Sequence, residues 1–248
     1  MNKWFEEKFE RDNLRKYTKK RLQSGFFDSF SRNFSITAWI IIINVVFFIA
    51  AFILMYFSGS EKVFSWIALQ PNAFFQGQVW QLITSMFMHG NFTHLFVNMV
   101  SLFFLGNFIE KLIGRKRFFW LYIISGLFAG LIFVSLAYFF GNTDLGARIF
   151  GSPEIFAVGA SGAIFALAGL LAVLTPKLKV YVFFIIPMQM WIASIFLMVV
   201  LWAVSIGAGL PIGNTAHLGG LSAGIVYAVY LRSKYKRKTA MINEYFSR

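Results

Sequence analysis

The sequence predicts an all-α membrane protein, a bundle of six transmembrane helices, and three observations support this fold class. Of the 248 residues 58% are hydrophobic and only 13% are charged, whereas about a quarter of the residues in a soluble domain are charged. The apolar residues, among them 32 phenylalanines, lie in runs close to the roughly 20 residues that cross a bilayer as a helix. The alternating pattern of a membrane β-barrel is absent from the sequence. Because lipid offers the backbone no hydrogen-bond partners, such runs are expected to form helices.

Six apolar segments are the predicted membrane-spanning helices. They lie at residues 36–57, 92–112, 116–140, 157–174, 184–207 and 214–231. Gly114 separates the second segment from the third, Pro176 closes the fourth, and Gly213 precedes the sixth, because glycine and proline disfavour helix interiors. The first segment begins too far along the chain, and is too long, for a cleaved signal sequence. We therefore interpret it as a helix of the mature protein.

Basic residues are distributed unevenly around these segments. The net charge is +13, and 21 of the 23 Lys and Arg residues fall on one side of the predicted bundle. The stretches that carry them are 1–35, 111–117, 175–179 and 231–248. Only Lys62 and Arg148 fall on the other side, so the positive-inside rule places both termini in the cytoplasm, in agreement with an even number of spans. Because the basic residues bracket apolar segments and form no groove or stripe, they indicate topology and contacts with anionic lipids, and no nucleic-acid partner.

The remaining segments set the predicted domain boundaries. With no internal repeat, we predict one membrane domain at residues 36–231, between a cytoplasmic N-terminal segment at 1–35 and a basic cytoplasmic tail at 232–248. Residues 1–33 fit either a short helix on the membrane surface or a loosely ordered arm. Residues 58–91 are too apolar for a hydrated loop. Their aromatic side chains indicate short helices in the outer leaflet, or else an interfacial aromatic belt.

Candidate chemical groups are few. The chain has no cysteine, which excludes disulfides, thiolate catalysis and cysteine-based metal sites. Its three histidines, His89, His94 and His217, all fall at the outer ends of predicted spans. An ionisable residue within a span indicates a functional site. A histidine can also simply form a hydrogen bond between packed helices. Three histidines at one membrane level weaken that second interpretation.

Ser161 lies near the outer end of the fourth predicted span, about one turn below it. That corresponds to a depth on the order of 5–10 Å, and His217 enters the sixth span at a comparable level. A serine level with a histidine is a candidate nucleophile with its general base. Small residues on both spans permit the close approach that the pair needs. They are Gly159, Gly162, Ala163, Ala166 and Gly169 on the fourth span, and Gly219, Gly220, Ala223 and Gly224 on the sixth.

His94 and Asn98 are four residues apart and therefore share one face of the second span. Donors aimed at a developing negative oxygen are a large contribution to acyl transfer. We interpret Asn98 and His94 as oxyanion donors, with the Ser161 backbone N–H as a third. His89 lies five residues before His94 and falls off that face. It is expected to come from the edge of the loop and cover the site.

Two other classes of membrane protein fit the residues less well. A zinc protease would need a motif such as H-E-x-x-H, but His89 and His94 enclose no acid. The only acid within a predicted span is Glu110, far from the histidines, so a Ser-His-Asp triad is not available and a dyad is left. A transporter would more often place charged residues near the midplane, whereas this polar cluster is shallow and one-sided.

Three motifs together resemble the signature of the rhomboid family of intramembrane serine proteases. In chain order they are His89…His94…Asn98, Gly159-Ala160-Ser161-Gly162 and Ala216-His217-Leu218-Gly219-Gly220, on the second, fourth and sixth spans. The resemblance covers about residues 36–231, and Leu105-Gly106…Glu110 resembles the family's inner end of the second span. It implies that Ser161 is the nucleophile and His217 the base. His94 and Asn98 would complete the oxyanion hole.

By this resemblance the protein is a six-helix, rhomboid-like endopeptidase that cleaves transmembrane segments of other membrane proteins near the outer face, beside a small side chain. Substrates would enter laterally, between the second and fifth spans. The expected partners are those substrates and the lipid bilayer, with no cofactor, metal or nucleic acid. The expected location is a prokaryotic cell membrane. The alternative is a non-catalytic, rhomboid-like chaperone or binding protein.

The chain departs from the family pattern at two positions. Trp80-Gln81 stands where the family often has Trp-Arg, in the first external loop. Phe165 stands where many members have a tyrosine that packs on the catalytic histidine, so the ring is kept and the hydroxyl is lost. Neither departure removes a proposed catalytic group.

Overall fold

The computed structural model describes residues 34–182, 185–208 and 213–246. Their helices, in order, are α1 Ile36–Ser58, α2 Ser60–Ile67, α3 Pro71–Phe75, α4 Gln81–Thr84, α5 Phe92–Ile113, α6 Arg115–Phe140, α7 Asp144–Phe150, α8 Ser161–Leu174, α9 Met190–Ala208, α10 Asn214–Lys234 and α11 Lys236–Tyr245. Two strands, β1 Lys179–Val182 and β2 Ile186–Gln189, lie between α8 and α9. The two interpretations of residues 1–33 lie outside the described residues.

Six of these helices, α1, α5, α6, α8, α9 and α10, form a helical membrane bundle at the places that the sequence predicts. Four of them, α1, α5, α6 and α9, are long and apolar enough to cross a bilayer by length and composition. The turn at Gly114, the β-hairpin and the end of α10 lie on one side, which we call the basic face. The connections that hold α2 to α4 and α7 lie on the opposite face.

Helix α8 is the centre of the bundle. Ten of its 14 residues are buried, and it packs most extensively against α10 and α6. A helix of 14 residues is about 21 Å long, shorter than the roughly 30 Å hydrocarbon core of a bilayer. The first residue of α8 therefore lies well inside the bundle if its other end is at the basic face.

The predicted start of the fourth span at residue 157 is wrong, because α8 begins at Ser161 itself. The residues just before it are not helical. Ala157 exchanges two backbone hydrogen bonds with Leu69, at 2.8 and 2.9 Å, and the Gly159 N–H donates to the Ser85 carbonyl oxygen at 2.9 Å. Gly159 has φ +119°, a left-handed conformation that glycine adopts at little cost. These contacts use the backbone groups that a longer helix would need.

The fifth span also begins later than predicted, at Met190 and not at residue 184. The residues before it form the antiparallel β1–β2 hairpin, in which Val180 pairs with Met188 and Tyr181 with Pro187. Proline removes a helical hydrogen bond and restricts the residue before it to extended conformations. The β-branched and aromatic residues of β1 favour strands. Local sequence preferences thus account for the hairpin.

The connection between α1 and α5 confirms the prediction of short helices, namely α2, α3 and α4. Gln81 is fully buried there, and its side-chain amide bridges three segments. The oxygen accepts from the Gln70 N–H at 3.0 Å, and the nitrogen donates to the Ser65 carbonyl oxygen at 2.9 Å and to the Gln78 side chain at 2.8 Å. Gln81 therefore holds this connection together by hydrogen bonds without a positive charge.

Glu110, the acid predicted near the inner end of the second span, joins α5 to the start of α1. Its carboxylate accepts from the backbone N–H groups of Ile36 at 2.8 Å and Thr37 at 2.9 Å, and from the Thr37 hydroxyl at 2.8 Å. The Arg115 Nε lies 3.6 Å from it. A carboxylate at a helix N-terminus satisfies free N–H groups and complements the helix dipole. The contact fixes α1 against α5 at the basic face.

Candidate active site

The face of the bundle opposite the basic face brings together the first turns of α5, α8 and α10. Ser161 is the first residue of α8, and His217 lies in the first turn of α10. The Ser161 Oγ and the His217 Nε2 are 2.8 Å apart, a hydrogen-bond distance. Ser161 is partly exposed and His217 is buried. A hydroxyl and an imidazole nitrogen in this contact can transfer a proton directly.

The close approach of α8 and α10 follows from glycines at their interface, as the small-residue pattern predicts. A Cβ on Gly220 would overlap the Gly162 carbonyl oxygen, and a Cβ on Gly224 would overlap the Ala166 carbonyl oxygen. The two backbones thus touch at two successive turns, where any side chain would separate them. This contact sets the distance between Ser161 and His217.

The His217 ring is held by stacking on Phe165. The two ring centroids are 4.5 Å apart, with an interplanar angle of 20°. The His217 Nδ1 has no hydrogen-bond partner among the described residues, so no acid of that part of the chain orients the imidazole. Phe165, which stands in place of the family's tyrosine, supplies that orientation by packing alone.

His94 packs beside the backbone that leads into Ser161. A Cβ built on Gly159 would lie 2.8 Å from both the His94 Cε1 and Nε2, so only glycine leaves room for this ring. The Asn91 side chain caps α5 by accepting from the His94 N–H at 2.8 Å, which fixes where the helix starts. The imidazole of His94 thereby lies next to the segment that carries Ser161.

Asn98 lies one turn further along α5 and is buried. Its Nδ2 donates to the His94 carbonyl oxygen at 2.8 Å, which uses one of the two N–H bonds of the amide. Its Oδ1 is buried without a hydrogen-bond partner among the described residues. The geometry therefore leaves one Asn98 N–H to donate elsewhere.

His89 comes from the loop before α5 and lies behind His94. The two ring centroids are 5.1 Å apart at an interplanar angle of 68°, and the His89 Nδ1 is 3.3 Å from the Phe87 carbonyl oxygen. Burial, and secondarily the neighbouring His94, lower the pKa of His89 to about 4. A neutral His89 ring therefore packs against the side of His94, and it comes from the edge of the loop as predicted.

The structure adds two contacts that the sequence does not indicate. The Ser85 carbonyl oxygen holds the Gly159 N–H, as described above. On the other side of the site, the Trp202 indole N–H of α9 donates to the Ile149 carbonyl oxygen of α7 at 3.2 Å. Both join residues that are far apart in the chain, and no local motif marks them. Within residues 34–182, 185–208 and 213–246, no three His, Asp or Glu side chains are grouped closely enough to hold a metal ion.

Comparison with known proteins gives a family match over the region that contains these residues. The family model of the Rhomboid domain matches residues 76–234. RHOMBOID-like protein 5 of Arabidopsis thaliana is 30% identical over 171 residues, which are 68% of this chain and 50% of the relative. The mitochondrial Rhomboid protein 1 of Saccharomyces cerevisiae is 34% identical over 161 residues, which are 63% of this chain and 43% of the relative.

A bacterial relative, the Rhomboid protease GlpG of Yersinia pestis, is 28% identical over 193 residues, which are 75% of this chain and 60% of the relative. The chain thus spans about half the length of these curated relatives. They come from a plant, a yeast and a bacterium, and so do not assign this chain to prokaryotes. The domain match covers more than half of the chain and includes α5, α8 and α10. This chain is an integral membrane protein that belongs to the rhomboid family.

Proposed function

We propose that this protein is an intramembrane serine endopeptidase that cleaves transmembrane segments of other membrane proteins. The observation that carries the proposal is the 2.8 Å contact between the Ser161 Oγ and the His217 Nε2, at the end of a central helix too short to span the membrane alone. A serine joined to a base in this way is an activated nucleophile. The family match supports the same reaction class.

In the proposed reaction, the Ser161 Oγ attacks the carbonyl carbon of a peptide bond while the His217 Nε2 takes the hydroxyl proton. The tetrahedral intermediate collapses when that proton passes to the leaving amine, which leaves an acyl-enzyme ester on Ser161. A water molecule then attacks the ester and gives its proton to His217. Return of that proton to Ser161 releases the new carboxyl terminus and restores both groups.

Negative charge develops on the carbonyl oxygen in each step, and three groups are proposed to stabilise it. The Ser161 N–H opens α8 and has no intrahelical acceptor, since the first four N–H groups of a helix lack one. The dipole of α8 adds partial positive charge at the same place. Asn98 retains one N–H, and the His94 ring lies beside Gly159. These donors support an oxyanion hole on the α5 side of Ser161.

The proposed substrates are transmembrane helices whose ends unwind near the face that holds the site. A helix keeps its backbone hydrogen bonds in lipid, so a peptide bond becomes available only where the helix opens close to water. Cleavage beside a small side chain is proposed on the resemblance to the rhomboid family. We propose lateral entry between α5 and α9, with α9 as the movable wall.

The proposed orientation puts both termini in the cytoplasm and the site at the outer face. It is supported by the distribution of charge in the sequence, where 21 of the 23 basic residues lie in the stretches 1–35, 111–117, 175–179 and 231–248. Positively charged loops remain in the cytoplasm during insertion.

The test is cleavage of a transmembrane substrate by the purified full chain in detergent. We expect Ser161→Ala and His217→Ala each to lower the rate by about 10⁴-fold or more, and the double variant to be no slower than either, because groups that act as a unit are not additive. Ser222→Ala is the matched control, since this serine of α10 is exposed and donates only to its own helix, to the Leu218 carbonyl oxygen at 2.8 Å. It should cleave normally.

Thermal unfolding of the same variants separates catalysis from folding. Ser161→Ala removes a single hydroxyl and should unfold as the wild type does, whereas His217→Ala also loses the stacking on Phe165 and should be slightly less stable. Cleavage by Ser161→Ala at the wild-type rate would refute the serine mechanism. Wild-type protein that binds the substrate and never cuts it would favour the non-catalytic chaperone. Labelling of the wild type by a fluorophosphonate at Ser161, lost in His217→Ala, would identify the nucleophile independently of any substrate.

A further inference from the structure

A groove of about 430 Å³ opens toward the lipid between the first half of α6 and the middle of α10. Residues that line it are Lys116, Arg117, Trp120, Ile124, Ala223 and Tyr227. Ile124 and Trp120 are 59% and 50% exposed although both belong to a spanning helix, so the groove faces the bilayer. None of these lining residues takes part in the proposed reaction.

The groove has one charged end and one apolar end. Lys116 and Arg117 belong to the first turn of α6 at the basic face, and Ile124 lies two turns further into the bundle. Seven residues of helix between Arg117 and Ile124 span about 10 Å, and half of a hydrocarbon core is about 15 Å. The groove thus extends from the headgroup level through most of one leaflet, as an acyl chain does.

The basic side chains at its mouth are held by tyrosines. Arg117 Nη2 donates to the Tyr235 hydroxyl at 2.8 Å, with its guanidinium carbon 5.1 Å from the centroid of that ring. Lys234 Nζ donates to the Tyr230 hydroxyl at 2.8 Å. In the part of the chain that the structure describes, no carboxylate pairs with Lys116, Arg117 or Lys234. Arg117 and Lys234 are therefore positioned without being neutralised, and Lys116 adds a third positive charge.

We propose that this groove binds one anionic phospholipid. The phosphate would lie between Lys116 and Arg117, and an acyl chain would pack along Ile124 and Ala223. Trp120 and Tyr227 would lie at the level of the glycerol backbone, where amphipathic rings are stabilised. Charge complementarity and the depth of the groove assign this occupant, because basic pockets between membrane helices on one membrane side match acidic headgroups. The bound lipid would join α6 to α10, the helix that carries His217.

Native mass spectrometry of the full chain in detergent tests the proposal with two lipids of identical acyl chains, dioleoyl phosphatidylglycerol and dioleoyl phosphatidylcholine. We expect the wild type to prefer the anionic lipid. Lys116→Gln/Arg117→Gln should weaken binding of phosphatidylglycerol about 30-fold, since two basic contacts near the membrane surface are lost. The matched control is Lys177→Gln/Lys179→Gln, which removes the same charge from exposed residues on the basic face outside the groove. It should bind as the wild type does.

A second variant separates a groove from diffuse attraction by charge. Ala223→Leu fills the apolar end and keeps every charge, so we expect it to weaken phosphatidylglycerol binding about tenfold. If its thermal unfolding shows a damaged fold, Ile124→Trp replaces it, because Ile124 is exposed and a larger ring displaces no neighbour. Glycerol 3-phosphate provides the headgroup without chains and should not displace the lipid at equal concentration.

Any one of four results would overturn the proposal. Equal binding of the two lipids by the wild type would exclude a site for an anionic lipid. Equal weakening by the control pair would reduce the effect to net charge. Displacement by glycerol 3-phosphate would assign the mouth to a soluble anion. Unchanged binding by the folded groove-filling variant would leave the apolar end to another occupant, such as a protein helix. None of these results bears on the cleavage assay, so the two proposals fail independently.

Discussion

At the scale of single residues, the two departures from the family pattern are compensated by local contacts. Phe165 keeps the stacking surface for His217 at 4.5 Å, and stacked rings of this kind contribute about 0.5–1.5 kcal/mol beyond their buried area. Gln81 replaces a charged side chain with an amide that makes three hydrogen bonds in a fully buried position. An arginine there could not accept from the Gln70 N–H, and it would bring a buried charge among neutral partners. Both substitutions are therefore compatible with an active site.

Asn98 is the residue whose proposed role is most sharply testable. Because it would donate to the substrate oxygen only once that oxygen carries charge, Asn98→Ala should lower kcat about 10²–10³-fold with little change in KM. Asn98→Asp should be at least as damaging, since it places an acceptor against the anion. Steady-state cleavage of a transmembrane substrate measures both constants. Fluorophosphonate labelling, whose adduct presents a similar oxygen, should slow in parallel.

Asn107→Ala is the matched control for this helix. The Asn107 Nδ2 donates to the Phe103 carbonyl oxygen at 2.7 Å, the same contact that Asn98 makes with His94, but near the basic face. Its loss should leave kcat unchanged. If Asn98→Ala kept its kcat and unfolded at a much lower temperature, the role of Asn98 would be to stabilise the packing of the helices by hydrogen bonding. The oxyanion hole would then consist of His94 and backbone N–H groups.

The sequence places Ser161, His217, His94 and Asn98 at one level of the membrane but does not give their contacts. Helical spacing and the order of the spans are local properties, and they suffice for that level. The packing of His94 on Gly159, and the Ser85 contact behind it, depend on how a distant loop folds over the bundle. That information is tertiary, so no spacing within one helix contains it.

At the scale of helices, the interface between α8 and α10 depends on residues without side chains. Gly224→Ala would place a methyl group against the Ala166 backbone, which cannot move away as a flexible side chain would. Overpacking of this kind costs about 1–3 kcal/mol. We expect a lower unfolding temperature in detergent and a lower kcat, because separating the helices lengthens the Ser161–His217 contact, which lies about two turns away along α10.

Gly207→Ala in α9 is the control for the intrinsic effect of the substitution. A Cβ on Gly207 meets nothing within 4 Å, and alanine is favoured over glycine in a helix by about 1 kcal/mol. This variant should be as stable as the wild type or slightly more so. Equal tolerance of both substitutions would contradict the close packing of α8 and α10.

Sequence patterns locate the helices better than their ends. Long apolar runs identify the six bundle helices, and Gly114, with φ +89°, separates α5 from α6 as predicted. The errors at α8 and α9 arise where apolar residues are extended instead of helical. Residues 185–188 are apolar in either conformation, so hydropathy alone assigns them to the helix that follows. Pro187 is the local signal that indicates the hairpin.

At the scale of the whole molecule, charge and chemistry occupy opposite faces of the bundle. The candidate active site and the short helices α2 to α4 lie on one face, and the Glu110 cap, the hairpin and the proposed lipid groove lie on the other. Anionic headgroups attract the basic face. The candidate active site lies on the opposite face. The orientation would therefore decide which compartment receives the products of the proposed cleavage.

Cysteine accessibility in intact cells tests this orientation. The chain has no native cysteine, so each introduced thiol gives a signal without background. Ser60 and Asn142 are exposed on the face that holds the site, and Ser233 is exposed at the end of α10. A membrane-impermeant maleimide should label Ser60→Cys and Asn142→Cys, and should label Ser233→Cys and Ser24→Cys only after the membrane is permeabilised. The physical reason is the retention of basic loops in the cytoplasm. Labelling of Ser233→Cys alone in intact cells would show that the protein has the opposite orientation. Ser161 would then lie at the cytoplasmic face, where only substrates that open on that side could be cut.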